Sequence, residues 1–274
     1  MKRKALLIDT TLCVGCEACV WACKEGHGLS DDSPGKRNDN TYTTVKEYND
    51  IYVRELCLNC EDPTCAAVCP VGAFTKQEAG AVLWDEKKCL GCRYCIQACP
   101  FHIPTYEWSS LNPKVVKCDF CHDLTSKGES TRCASSCPTG ATLFGDRDAI
   151  LAEARRRLKL KKGAVHEFPV HTLDSGDTIK HEALGYYPHI FGETEVGGTD
   201  VFFISDRDIR ELGYFNNLPD YALRHRIEPA MGVIPDVIVT AGIFFYGMNW
   251  IINRRIENGV EPKTKIFGKK GEDK

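Results

Sequence analysis

The chain of 274 residues contains neither a G-x-G-x-x-G fingerprint nor a P-loop, so no dinucleotide- or nucleotide-binding fold announces itself. Its net charge is only -3, which argues against nucleic acid as a partner. The eight histidines fall into no metal-ligand pattern, and no set of residues suggests substrate chemistry, so no catalytic residue is assigned. Near the N-terminus the apolar run Ala5-Leu6-Leu7-Ile8 is interrupted by Asp9. Such a run is too short for the hydrophobic region of a signal peptide and reads better as a strand. Glycine and proline are close to average, which excludes a low-complexity chain.

Cysteine is abundant. Cys89, Cys92 and Cys95 lie three apart, and Cys99 follows four residues later with Pro100 behind it. This is the bacterial run for a cubane iron–sulfur cluster. Three thiolates on one tight loop cap three irons, and the fourth reaches the other cluster of a pair. The run recurs with variations as Cys13, Cys16, Cys19, Cys23; as Cys57, Cys60, Cys65, Cys69; and as Cys118, Cys121, Cys133, Cys137, with eleven residues between Cys121 and Cys133. Four runs account for all 16 cysteines, and four [4Fe–4S] clusters are the expectation.

Other uses of cysteine fit less well. Disulfide frameworks suit short secreted chains, and cysteines three apart are poorly placed to bridge in repeated sets. Structural zinc takes two C-x-x-C pairs and has no use for a third cysteine at the same spacing. A radical enzyme needs a three-cysteine motif without a fourth ligand, and the sequence holds none. Clusters would replace part of the aliphatic core, so the apoprotein should fold poorly.

Short strands are expected before the runs at 5–8, 51–53, 81–84 and 115–116, and after them near 73–74 and 142–144. Strand, cluster loop, helical turn and strand, four times over, make two ferredoxin-like pairs. Cys69-Pro70-Val71-Gly72-Ala73 echoes Cys137-Pro138-Thr139-Gly140-Ala141, with glycine where the turn tolerates positive φ. Cys23 is followed by Lys24 instead of proline, so the first run exits differently. Residues 29–50, rich in Asp, Asn, Ser33, Pro34 and Gly35, read as a surface loop.

Asp146 is placed to cap a helix whose apolar face is Ile150, Leu151, Ala154 and Leu158, ending at Gly163. Arg155, Arg156, Arg157, Lys159, Lys161 and Lys162 crowd its end, where the helix dipole favours cations; an anionic lipid or partner patch is the other reading. Residues 164–232 are irregular, with a strand at 201–204, and suggest an extended arm lying over the cluster core or a partner. Val233 to Ile252 is almost wholly apolar, with Tyr246 and Trp250 as candidate interfacial aromatics. It is read as one C-terminal transmembrane helix, against the alternative of a buried core helix. The basic tail, with Arg254, Arg255, Lys263, Lys265, Lys269, Lys270 and Lys274, places the C-terminus in the cytoplasm and the cluster domain in the periplasm. Arg224 and Arg226 ahead of the helix keep a cytoplasmic cluster domain as the alternative. His102 and His122 lie beside cluster loops, where they either tune a cluster by hydrogen bonding or simply pack.

The expected fold is α+β, divided as 1–145 (two ferredoxin-like double-cluster modules), 146–232 (helix and extended arm), 233–253 (transmembrane helix) and 254–274 (tail). With these features in view, the chain resembles the iron–sulfur (beta) subunits of membrane-bound molybdopterin and nickel–iron oxidoreductases. Within that family it resembles the beta subunit of respiratory formate dehydrogenase and the iron–sulfur subunit of quinone-linked uptake hydrogenase. The likeness rests on the four runs, on Cys57-Leu58-Asn59-Cys60-Glu61-Asp62-Pro63-Thr64-Cys65, on Glu195-Val196-Gly197-Gly198-Thr199 and on the last helix.

The resemblance implies a ligand pairing that crosses between runs. Cys13, Cys16, Cys19 and Cys137 would hold one cluster, and Cys118, Cys121, Cys133 and Cys23 its neighbour. Cys57, Cys60, Cys65 and Cys99 would hold a third, and Cys89, Cys92, Cys95 and Cys69 the fourth. Some relatives carry tryptophan at one ligand position and a [3Fe–4S] centre; here every position is cysteine. The implied role is a non-catalytic wire from a molybdopterin or nickel–iron catalytic subunit to a membrane subunit with haem b or a quinone site. A soluble polyferredoxin carrier is the alternative.

Overall fold

The computed structural model describes residues 2–30, 35–109, 113–211, 216 and 218–259. Asp31, Asp32, Ser33 and Pro34 of the expected loop, and Lys263, Lys265, Lys269, Lys270 and Lys274 of the tail, lie outside them. The chain divides into two compact units, 1–227 and 228–274.

In the first unit the elements run β1 (Lys4–Asp9), α1 (Ala18–Gly26), β2 (Thr44–Tyr48), β3 (Ile51–Glu55), α2 (Thr64–Ala67), β4 (Phe74–Lys76), β5 (Val82–Trp84), α3 (Tyr94–Ala98), β6 (Thr105–Tyr106), β7 (Val115–Val116), α4 (His122–Thr125), α5 (Arg132–Ser135), β8 (Thr142–Asp146), α6 (Arg147–Leu158), β9 (Val165–Pro169), β10 (His171–Thr172), β11 (Thr178–Glu182) and β12 (Val201–Ile204). The central sheet has the order β10-β8-β1-β12. Strand β1 alternates across it: Leu6 and Ile8 join the core that holds Cys118, Phe120 and Cys133, while Ala5 and Leu7 pack with Ile150, Leu151 and Ala154 of α6.

Register is what brings distant runs together. Strand β1, leading into the first run, pairs antiparallel with β8, which leaves the fourth, with Ile8 opposite Thr142 and Leu7 opposite Leu143. Strand β4 after the second run pairs with β5 before the third, and β6 after the third pairs with β7 before the fourth. The helices after the cysteine loops differ for a local reason. In the second and third runs α2 and α3 are short and stop ahead of Cys69-Pro70 and Cys99-Pro100, because proline cannot continue a helix. With Lys24 in that place, α1 runs on past Cys23 to Gly26.

Several expectations are corrected. The polar segment 29–50 is not all loop: Thr44–Tyr48 forms β2, joined to β3 by Asn49 and Asp50, both at positive φ as a tight hairpin turn requires. Asp146 precedes α6, but its side chain makes no cap; it pairs instead with Lys4 at 2.5 Å and Lys2 at 3.3 Å. The helix ends at Leu158 rather than Gly163. Its basic turn is largely ion-paired, with Arg155 on Glu193 and both Arg156 and Arg157 on Glu153, which removes those three arginines from a free anion-binding patch. The stretch after Ala164 has structure of its own rather than lying as an extended arm. Strands β9 and β11 pair antiparallel, and the wholly buried β12 docks parallel to β1, Leu6 opposite Val201.

In the second unit lies most of α7 (Arg224–Glu257), which begins in the last residues of the first. It is longer than the expected 233–252, because the helix-forming Arg224-His225-Arg226-Ile227-Glu228 precedes the apolar run. Pro229 and Pro235 lie inside it. Among the described residues it is the one helix long and apolar enough to cross a membrane, and none of its apolar window is buried.

Candidate iron–sulfur centres

The cysteine loops share one backbone device. The residue before the second cysteine has positive φ in all four runs: Gly15 at 70°, Asn59 at 48°, Gly91 at 71° and Phe120 at 64°. This left-handed step curls each C-x-x-C segment back on itself. At Gly15 the space demands glycine as well, since a Cβ there would meet the Tyr52 ring at 2.6 Å. Elsewhere the strain is compensated. Asn59 donates from Nδ2 to the Cys57 carbonyl and accepts from the Val82 N–H at 2.9 Å. Phe120 is buried against Phe144, ring centroids 6.1 Å apart. The expected positive φ at Gly72 and Gly140 is also present.

The curled loops aim backbone N–H groups at sulfur. Gly91 donates to Cys89 Sγ at 3.4 Å and Phe120 to Cys118 Sγ at 3.4 Å. After the fourth cysteines, Ala73 donates to Cys69 Sγ at 3.2 Å and Thr142 to Cys137 Sγ at 3.3 Å. Such bonds stabilise negative charge on sulfur.

The fold gathers cysteines across runs. Cys13, Cys16, Cys19 and Cys137 line one cavity with Val14, Val45, Pro138 and Thr142. Cys118 interacts electrostatically with Cys121 and Cys23, and Cys121 with Cys133. Cys60 interacts with Cys57, Cys99 and Cys65. Cys95 interacts with Cys89 and Cys92, and Cys69 packs in the same cluster of side chains as Cys95 and Cys89. None of the sixteen is joined in a disulfide, and among the described residues no three His, Cys, Asp or Glu converge as ligands of a single metal ion would.

These thiols are poorly placed to ionise unaided. Burial pushes Cys19, Cys95 and Cys121 up to about 12 and Cys99 up to about 11, and it drives Cys60 and Cys118 well above the ordinary range. Coordination to iron deprotonates a thiol outright, so buried soft donors grouped without imidazole or carboxylate fit iron–sulfur clusters.

Charged side chains penetrate between the groups. Arg54 is buried in β3, donating to Thr43 Oγ1 at 3.0 Å and Thr142 Oγ1 at 3.3 Å. Burial opposes its charge, but its interactions with Cys133, Cys19 and Cys118 outweigh that and hold it above the usual arginine value. Lys117 is buried too, its ammonium donating to the Val82 carbonyl and to the Cys118 carbonyl at 2.9 Å. Burial works against it, and Cys57, Cys65 and Cys118 raise it. His27 lies 3.7 Å from Cys23 Sγ and 3.2 Å from Asp119.

Sequence reasoning named His102 and His122 instead. His102 is exposed, with its carbonyl accepting from Arg37 at 2.7 Å, and His122 is half-buried. A signal for the missed residues was present: Arg54 interrupts an apolar strand and Lys117 directly precedes Cys118.

Comparison with known proteins agrees with this geometry. Residues 48–147 match the 4Fe-4S dicluster domain and residues 6–26 the 4Fe-4S binding domain. The chain is 36% identical over 226 residues to the hydrogenase-2 operon protein HybA of Escherichia coli O157:H7, spanning 73% of this chain and 69% of that one. It belongs to the iron–sulfur (beta) subunits of membrane-bound molybdopterin and nickel–iron oxidoreductases. The iron–sulfur subunit of the nitrate-inducible formate dehydrogenase of E. coli K12 is 31% identical over 219 residues, 73% of this chain and 67% of its own. The B subunit of the anaerobic dimethyl sulfoxide reductase of the same strain is 37% identical over 155 residues, 52% of this chain and 73% of its own. As a member of this family the chain carries [4Fe–4S] clusters, which its loops are built to hold.

Proposed function

We propose that the chain is a non-catalytic electron-transfer subunit that relays electrons through four [4Fe–4S] clusters. They pass between a catalytic subunit, of formate dehydrogenase or hydrogenase type, and a membrane subunit bearing cytochrome b or a quinone site. The observation that carries the reading is the order of the four cysteine groups. Cys19 of the first interacts with Cys133 of the second, Cys118 of the second with Cys57 of the third, and Cys65 of the third with Cys95 of the fourth. These links support reading the groups as a line, with the crossed pairing given above as their proposed ligand sets. Bound clusters supply one-electron storage at each station. The protein holds the stations in register through β1–β8, β4–β5 and β6–β7 and buries Cys23, Cys118, Cys121 and Cys133 of the second.

The ends of the line differ from its middle. Cys16 in the first group and Cys92 in the fourth are the exposed cysteines. Beside them Val14 is 60% exposed, Leu90 70% and Tyr94 60%. Apolar residues flanking the outermost ligands suit close approach of partner subunits at entry and exit. Helix α7 is read as a single membrane span, with Arg254 and Arg255 in its last turn on the cytoplasmic side and the cluster domain in the periplasm; the reverse orientation is the alternative.

The test is the metal content of the complex that co-purifies with this chain from membranes. Molybdenum or tungsten identifies a pterin-dependent partner, and nickel a hydrogenase. Recovery of the chain alone, as a detergent-free monomer with full clusters, would favour a soluble polyferredoxin.

A further inference from the structure

The half-buried Lys76 and the buried Arg54 and Lys117 lie near cysteine groups, and they differ in what neutralises them. Lys76, near Cys60, is held by Asp200 at 2.6 Å, so its charge is matched by a carboxylate. Arg54 and Lys117 are held by neutral oxygens: the hydroxyls of Thr43 and Thr142 for one, the carbonyls of Val82 and Cys118 for the other. Asp119, which pairs with His27, also acts on Lys117, after Cys57, Cys65 and Cys118. For both cations the cysteine sulfurs act most strongly among the groups that raise them.

Their positions are specific. Arg54 lines the cavity of Cys13, Cys16, Cys19 and Cys137, the first group, and interacts with Cys118 and Cys133 of the second. Lys117 Nζ lies 2.9 Å from the Cys118 carbonyl in the second group and interacts with Cys57 and Cys65 of the third. Each thus stands at a junction, and the second group is flanked by both.

We propose that Arg54 and Lys117 set the potentials of the relay: each is a buried cation at the junction of two cysteine groups that raises the reduction potential of both neighbouring stations, and the second group receives both contributions. A cluster held by four thiolates is net negative and gains one further negative charge on reduction. A fixed positive charge nearby therefore favours the reduced form, and a poorly screened interior strengthens the effect. The proposal rests on the four-station relay argued above.

The test is a redox titration of the cluster-loaded full-length chain, followed by electron paramagnetic resonance. In Arg54→Gln two of four midpoints fall, each by at least about tenfold in the reduction equilibrium, or about 59 mV for a one-electron couple. In Lys117→Gln two fall again. In the double variant three fall, one of them by roughly the sum, and the fourth stays. Arg54→Lys and Lys117→Arg keep the charge and leave all four in place. Should Arg54→Gln lose iron, Lys117→Gln carries the test. Unmoved midpoints at full iron content, a uniform fall of all four, or equal falls in the charge-keeping variants would overturn the proposal. An unaltered chain with fewer than four clusters would instead overturn the relay itself.

Discussion

Arg157 Nη1 donates to Asp9 Oδ2 at 2.9 Å, and neither side chain has any exposure to solvent. The contact ties the last turn of α6 to the end of β1, four residues before the first cysteine. Asp9 also accepts from Tyr186 Oη at 2.9 Å and from the Thr11 hydroxyl at 2.6 Å, and Arg157 Nε donates to Glu153 at 2.8 Å. The first cysteine loop is thus anchored to an element far away in the chain.

Removing one partner from such a buried network leaves a charge uncompensated, at a cost of about 3–5 kcal/mol. Arg157→Met is expected to destabilise the fold by that order and to release iron from the first cysteine group ahead of the others. The check is iron retention against urea concentration, compared with Arg155→Met, whose guanidinium pairs with Glu193 at the surface and should change little.

The same network predicts a pH dependence. Burial pushes the Glu153 carboxyl up, but hydrogen bonds from Arg156 and Arg157 outweigh it and hold the group below the usual glutamate value. Its folded value being depressed, the contribution is complete above the ordinary value of about 4.3 and is lost as pH falls below that through the folded value. The difference in urea midpoint between the chain and Glu153→Gln should be constant above about pH 5 and narrow below about 4.3. A gap that widens on acidification would contradict the sign.

Gly15 tests the loop geometry. Gly15→Ala places a Cβ against Tyr52 at 2.6 Å on a backbone at φ 70°, adding a conformational cost of about 1–2 kcal/mol to the clash. Loss of one cluster is expected, with partial recovery in the double variant with Tyr52→Ala. Gly72→Ala, at φ 61° with open space around it, carries only the conformational cost and should retain all its iron.

The membrane reading is checked by truncation. A chain ending at residue 232 lacks the apolar run of α7 and should leave the membrane fraction on carbonate washing. Persistence as an integral membrane protein would rule out α7 as the anchor.

The cysteine runs, and the strands flanking them, were legible because ligand spacing and short apolar runs are local signals. What stayed hidden was non-local. Nothing near Val201 announces that β12 pairs with Leu6, and the irregular composition around it suggested an arm instead. Strand β2 was masked by the polar segment before it. Asn49 and Asp50, the turn that makes it a hairpin, read as loop residues. Arg54 lies in an apolar strand, and its burial near Cys133, Cys19 and Cys118 follows from how β1, β3 and β8 come together. The ligand pairing was implied by family resemblance and is a proposal here; the β1–β8 register accounts for Cys13 and Cys137 lining one cavity.

The most direct test of the four-station relay is to count iron and inorganic sulfide per chain after anaerobic purification from membranes, and to integrate the spins of the fully reduced protein. Four cubanes for each chain and four reducible centres are the expected result. Clearly fewer, with all sixteen thiols accounted for as free or otherwise bound, would contradict the relay.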